Sequence, residues 1–199
     1  VAVLVAAVAA GSLWLSQRTS PADVARAAGA PAGDGGALEI VAPGPAPSIE
    51  GAAGWLNTAP LDDSSLAGKV VLYEFWTFGC RNCRNALPHV RALYDRYAAD
   101  GLVVLSIHTP EFGYEAERDN VARFVEEQEI HFPVALDPDR TIWREWRNRY
   151  WPNFFLYDQA GRLRQTHVGE GGYAEREDAV RGLLGVDPSS PRVEPLDGG

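Results

Sequence analysis

The stretch whose reading decides the fold is Val71–Pro88, VLYEFWTFGCRNCRNALP. It belongs to a near-continuous β-prone run, Val70–Trp76, of the kind that forms a strand buried on both faces. Beyond it, Cys83, Leu87, Val90, Tyr94 and Tyr97 recur at helical spacing. A helix is therefore expected to begin at the dithiol Cys80-Arg81-Asn82-Cys83 and to run to about Ala99, kinked at Pro88. A thiol at a helix start meets the partial positive charge of the free N–H groups, which draws its pKa below the free value of about 8.5. The chain has 2 cysteines, so the natural oxidised product is their internal disulfide. The segment reads as a thiol–disulfide redox centre.

Other uses of paired cysteines fit less well. Structural zinc wants four ligands, yet His89, His108, His131 and His167 are scattered and none forms a His-x₃-His pair. Haem attachment needs a histidine after Cys83, where Arg84 stands. A purely structural disulfide closing so small a loop constrains the unfolded chain little.

Outward from the dithiol, strands and helices alternate. Leu102–Ile107 is a second buried strand, and Val121, Phe124 and Val125 mark an amphipathic helix over about Ala116–Glu129. Phe132–Leu136 is a candidate short strand, and Arg140–Arg149 a helix with Ile142, Trp143 and Trp146 on its apolar side. Phe154–Tyr157 and Leu163–Val168 form a hairpin about Asp158–Gly161. A last helix covers about Tyr173–Leu184. A βαβ unit, a helix, a hairpin and a final helix, with a dithiol at the first crossover helix, describe a thioredoxin-like α/β fold. Its central mixed β-sheet is flanked by helices.

Of the 199 residues, 46% are hydrophobic, ample for the core of one domain. The net charge of −9, from 27 acidic against 18 basic residues, argues against a nucleic-acid partner. Residues 1–15 are almost wholly apolar and read as a membrane anchor or export signal. A helix of that length spans only about 22 Å, short of the roughly 30 Å hydrocarbon core. The basic n-region of a signal peptide is missing. An anchor is favoured, although Ala7-Val8-Ala9 offers a cleavage site and Arg18 and Arg26 mildly oppose an outward-facing domain. Residues 16–48 are a flexible Ala/Pro/Gly linker, with Leu38–Val41 a candidate strand. The domain proper covers residues 49–186, and 187–199 read as a disordered tail.

Val71–Pro88 resembles the active-site segment of thioredoxins, and more closely that of the extracytoplasmic TlpA-like and DipZ-like branch. Supporting blocks are Trp55-Leu56-Asn57 with Gly68-Lys69-Val70-Val71, His108-Thr109-Pro110-Glu111-Phe112, Tyr150-Trp151-Pro152, and Gly169-Glu170-Gly171 with Tyr173. The resemblance covers about Gly54–Leu184. It implies that Cys80 is the exposed nucleophile, Cys83 the buried resolving thiol and Pro152 a cis-proline facing them. Trp76 and Trp151 would flank the site on the substrate side, and His108 would tune the thiolate or read a substrate. Arg81 adds a cation beside Cys80. Glu74 interrupts an apolar strand where such proteins often carry a buried carboxylate suited to proton exchange with Cys83. The alternative is a solvent-facing Glu74 or one paired with Lys69 or an arginine.

The implied activity is disulfide exchange with extracytoplasmic protein substrates, as a reductant supplied by a membrane thiol donor. The redox-active Cys80–Cys83 pair needs no further cofactor, and no nicotinamide or flavin fingerprint is present. Two other readings use the same residues. A peroxiredoxin-like peroxidase would use Thr77 and Cys80, though Tyr73 replaces an expected proline. A copper-binding assembly factor would use Cys80, Cys83 and a histidine such as His108.

Overall fold

The computed structural model describes residues 44–193. The readings of residues 1–15 and of Leu38–Val41, and most of the linker, lie outside them. Within them, β2 (Val70–Trp76) is buried along its whole length. It pairs in parallel with β3 (Leu102–His108), and β3 in parallel with β4 (Val134–Leu136). On its other side β2 pairs antiparallel with β5 (Asn153–Tyr157), which forms a hairpin with β6 (Leu163–Val168). A short β1 (Gly54–Leu56) closes the far edge, giving the order β1-β4-β3-β2-β5-β6 in one mixed sheet. The helices are α1 (Arg81–Tyr97), α2 (Arg118–Glu127), α3 (Thr141–Glu145) and α4 (Tyr173–Leu184).

The strand period of two divides β2 between two cores. Val70, Leu72 and Trp76 face one way and pack with Cys83, Leu87, Val90 and Leu93 of α1 and Val180 of α4. Val71, Tyr73 and Phe75 face the other way, into an aromatic cluster with Trp143, Trp146, Phe155 and Tyr157. Glu74, by parity, belongs to the face beneath α1.

Some boundaries differ from the sequence reading. The α3 helix ends at Glu145, because Arg147 takes a left-handed φ of 50° and Asn148 N–H bonds back to Trp143 O. Strand β4 starts after Pro133, which has no N–H to give a ladder. Helix α1 runs unbroken through Pro88 and stops at Tyr97. Asp187–Val193, read as the start of a disordered tail, is instead fastened to α4. Arg181 donates to the carbonyls of Asp187, Pro188, Ser190 and Pro191, and Val193 N–H donates to Glu177. A Pro/Ser stretch has no apolar period through which sequence could reveal such an anchor. Among the described residues, no helix is long and apolar enough to cross a membrane.

Candidate active site

Cys80 is the N-cap of α1, with extended backbone (φ −72°, ψ 117°), and its Sγ accepts the Cys83 N–H at 3.2 Å. The sulfur thus occupies the position where an N-cap oxygen normally satisfies a free helix donor, and negative charge there is stabilised. Cys80 and Cys83 are joined as a disulfide, with Cα atoms 5.3 Å apart. Cys83, one turn inside, is 1% exposed, whereas Cys80 is half-buried and reachable.

Glu74 lies on the Cys83 face of β2 and is 1% exposed, so it neither faces solvent nor pairs with Lys69. Ser106, its register partner on β3, donates to Oε2 at 3.0 Å. On the other side its register partner is Phe154, over whose ring the Arg176 guanidinium stacks at 3.8 Å. Arg176, itself 1% exposed, spends one donor on Gly171 O and leaves Nε and Nη1 without partners. Burial is the main force on Glu74; against the weaker pull of Ser106 and Arg176, it pushes the carboxyl up to about 7. The group can therefore exchange a proton near neutral pH. Ser106 and Arg176 escaped the sequence reading because only the sheet register and the return of α4 bring them here.

His108 and Trp76 are both buried. Both are 2% exposed, and their rings pack edge to face 5.0 Å apart. His108 Nε2 lies 3.3 Å from both Thr77 Oγ1 and Phe78 N, accepting the Phe78 N–H, while burial pulls the imidazole down to about 4. A neutral His108 thus holds the loop that delivers Cys80. Trp76 is likewise core. The register that pairs Trp76 with His108 puts both on one face of the sheet, where Phe124 and Phe78 pack over them.

The Trp151–Pro152 peptide bond is cis. Trp151 is partly exposed; its Nε1 donates to Thr109 O at 3.0 Å, and Arg140 lies over its ring at 5.3 Å. Arg140 also donates through Nε and Nη2 to Pro110 O. Beyond the dithiol, the loop after β3 raises Phe112 and Tyr114, each 54% exposed and stacked on one another. Tyr114 meets Phe78 at 5.7 Å. Exposed aromatic surface therefore adjoins the Cys80 loop.

Glu115, in the same loop, is wholly buried. Its Oε2 accepts the N–H groups of Glu111 and Phe112 at 2.7 and 3.0 Å, and the Tyr114 hydroxyl hydrogen-bonds to the same carboxyl beside Gly79. A Cβ on Gly79 would overlap that oxygen and come within 2.9 Å of Tyr114 Oη. Moving the carboxylate aside would break both loop hydrogen bonds, so only glycine fits at 79. Gly79→Ala is expected to cost roughly 1–3 kcal/mol of stability, as other overpacking changes do, and to slow alkylation of Cys80. A melting curve indistinguishable from wild type would show that the loop yields freely.

The AhpC/TSA family model matches residues 44–166. The chain belongs to the AhpC/TSA family. Protein DipZ of Mycobacterium tuberculosis is 44% identical over 152 residues, covering 75% of this chain and 22% of DipZ. Thiol-disulfide oxidoreductase YkuV of Bacillus subtilis is 28% identical over 140 residues, covering 70% of this chain and 94% of YkuV. Among solved structures, a thiol-disulfide isomerase from Corynebacterium glutamicum superposes with TM-score 0.63 at 26% identity, covering 70% of this chain and 96% of that one. The fold is thioredoxin-like, as the resemblance implied.

Proposed function

We propose that this member of the AhpC/TSA family is a thiol–disulfide oxidoreductase acting on protein disulfides, in the reducing direction. The observation that carries the reading is the stacked arrangement of a reachable Cys80 Sγ capping α1, a buried Cys83 one turn below, and Glu74 on the strand face beneath. In the reduced enzyme the Cys80 thiolate attacks one sulfur of a substrate disulfide, forming a mixed disulfide and expelling the other as thiolate. Cys83 gives its proton to Glu74 and attacks Cys80 Sγ, releasing the second substrate thiolate. The substrate gains two electrons and leaves as two thiolates, one taking the proton held on Glu74 and the other a proton from water, and the enzyme is left with the Cys80–Cys83 disulfide. A thiol donor must then reduce that bond. We assign this role to a membrane thiol carrier, and the setting to the extracytoplasmic face, on the resemblance to DipZ-like proteins and the apolar N-terminal segment. Maturation of cytochromes and repair of misoxidised proteins are the fitting uses.

Two observations weigh against the alternatives. The Thr77 hydroxyl, which a peroxidase would aim at Cys80, is buried against His108. His108 Nε2, the third ligand of a copper site, is engaged by Thr77 and Phe78. The decisive measurement is the equilibrium of the dithiol with glutathione. A reduction potential near −270 mV, the thioredoxin level, is expected; one near −120 mV would mark an oxidant, and failure to equilibrate would remove the exchange reading altogether.

A further inference from the structure

Glu115 is absorbed by none of this. It stands in the loop after β3, remote in sequence from the dithiol, yet its Oε1 lies against Gly79, beside the Tyr114 hydroxyl. Gly79 is one peptide unit, about 3.8 Å between Cα atoms, from Cys80. Capping the Glu111–Phe112 turn uses only Oε2. A glutamate needed solely for that turn has no reason to bury its second oxygen where the neighbouring residue must give up its Cβ.

We propose that Glu115 is a positioning residue of the redox centre: its buried carboxylate, held against Gly79, opposes ionisation of the Cys80 thiol and so biases the pair toward the disulfide. This rests on the exchange reading above and fits the reducing direction proposed there. Oε2 accepts two backbone N–H groups, which fix the carboxyl in place, and an anion close to a thiol disfavours its thiolate. The reduced state then loses stability relative to the disulfide, which carries no charge. The α1 N-terminus acts in the opposite sense, so Cys80 sits between a stabilising and a destabilising field.

Among the described residues, no cation forms an ion pair with the carboxylate. Arg140 is committed to Pro110 O and the Trp151 ring, and Arg84 lies over Phe124 at 5.8 Å. Arg81 is exposed, so solvent screens it. His108 is neutral at physiological pH, and Glu111 and Tyr114 add no positive charge.

Glu115→Gln keeps the shape and leaves a carbonyl to accept both loop N–H groups. Compared with wild type, the midpoint pH of Cys80 alkylation by iodoacetamide should fall by about one unit, a tenfold gain in thiolate at lower pH. Above both midpoints, where the thiolate is the reduced species, the glutathione equilibrium should move about tenfold toward the dithiol, or about 30 mV. A purely structural Glu115 would lower the melting temperature and move neither number, which would overturn the proposal while leaving disulfide exchange intact. Failure of wild type itself to equilibrate with glutathione would overturn both. If the variant does not fold, carbon-13 NMR of the reduced wild type serves instead. The Glu115 carboxyl resonance should step at the pH where Cys80 ionises, and a flat response there would refute the coupling.

Discussion

Cys83→Ser is expected to end turnover while preserving capture: Cys80 still attacks a substrate disulfide, but nothing displaces the bound partner. Well-oriented intramolecular attack corresponds to an effective concentration of about 10⁵ M or more, which millimolar external thiols replace poorly. Mixed disulfides should therefore accumulate and be recoverable on non-reducing gels, with the attached proteins identifying the substrates. Cys80→Ser should trap almost nothing, because the remaining thiol is 1% exposed. A metal site predicts no such asymmetry, since loss of either thiol simply removes a ligand. Equal trapping by the two variants would mean that the nucleophile is misassigned.

The second large effect concerns stability and pH. Glu74 titrates near 4.5 when unfolded and at about 7 in the fold. Between those values the folded protein holds the extra proton, so stability falls as pH rises through the window and levels off above it. A shift of that size corresponds to about 3 kcal/mol. His89 and His108, both drawn down to about 4 by burial, work in the opposite direction across pH 4–6.5, so the wild-type curve alone mixes the two. The difference between wild type and Glu74→Gln isolates the carboxyl. The variant should gain about 3 kcal/mol on wild type between pH 4 and pH 8, roughly 6–12 °C in melting temperature for a domain of this size. It should also resolve mixed disulfides about 10²-fold or more slowly, the usual cost of losing a general base. Parallel stability curves for the two proteins would place the carboxyl's titration outside the window.

The fold was legible because its deciding signals are local. A β-prone run over Val70–Trp76, a helical repeat from Cys83 to Tyr97 and turn residues at Asp158–Gly161 each declare their element without help from distant chain. Cys80 and Cys83 were legible for the same reason, and Glu74 because a carboxylate is conspicuous in an apolar strand. Arg176 and Glu115 were not. Each is an ordinary charged residue in a polar stretch, and it acquires meaning only from what the fold sets opposite it. The burial of Trp76 and His108 was no more legible: proximity to the dithiol along the chain says nothing about how completely the fold covers a side chain. Strand β1 was missed because three residues are too few to display a period.

The two cores on either side of β2 make strand phase a chemical variable. Even-numbered positions from Val70 to Trp76 turn toward the thiols and odd-numbered ones from Val71 to Phe75 toward an aromatic wall. A slip of one residue would exchange the two sets. Tyr73 or Phe75 would then stand beneath Cys83, and a carboxylate would be driven among tryptophans. The pairings that lock β2 between β3 and β5 therefore do more than stiffen the sheet: they decide whether a carboxyl lies on the Cys83 face of the strand. An insertion or deletion at Gly68-Lys69 that shifted this phase would leave every catalytic residue in the sequence and abolish the chemistry.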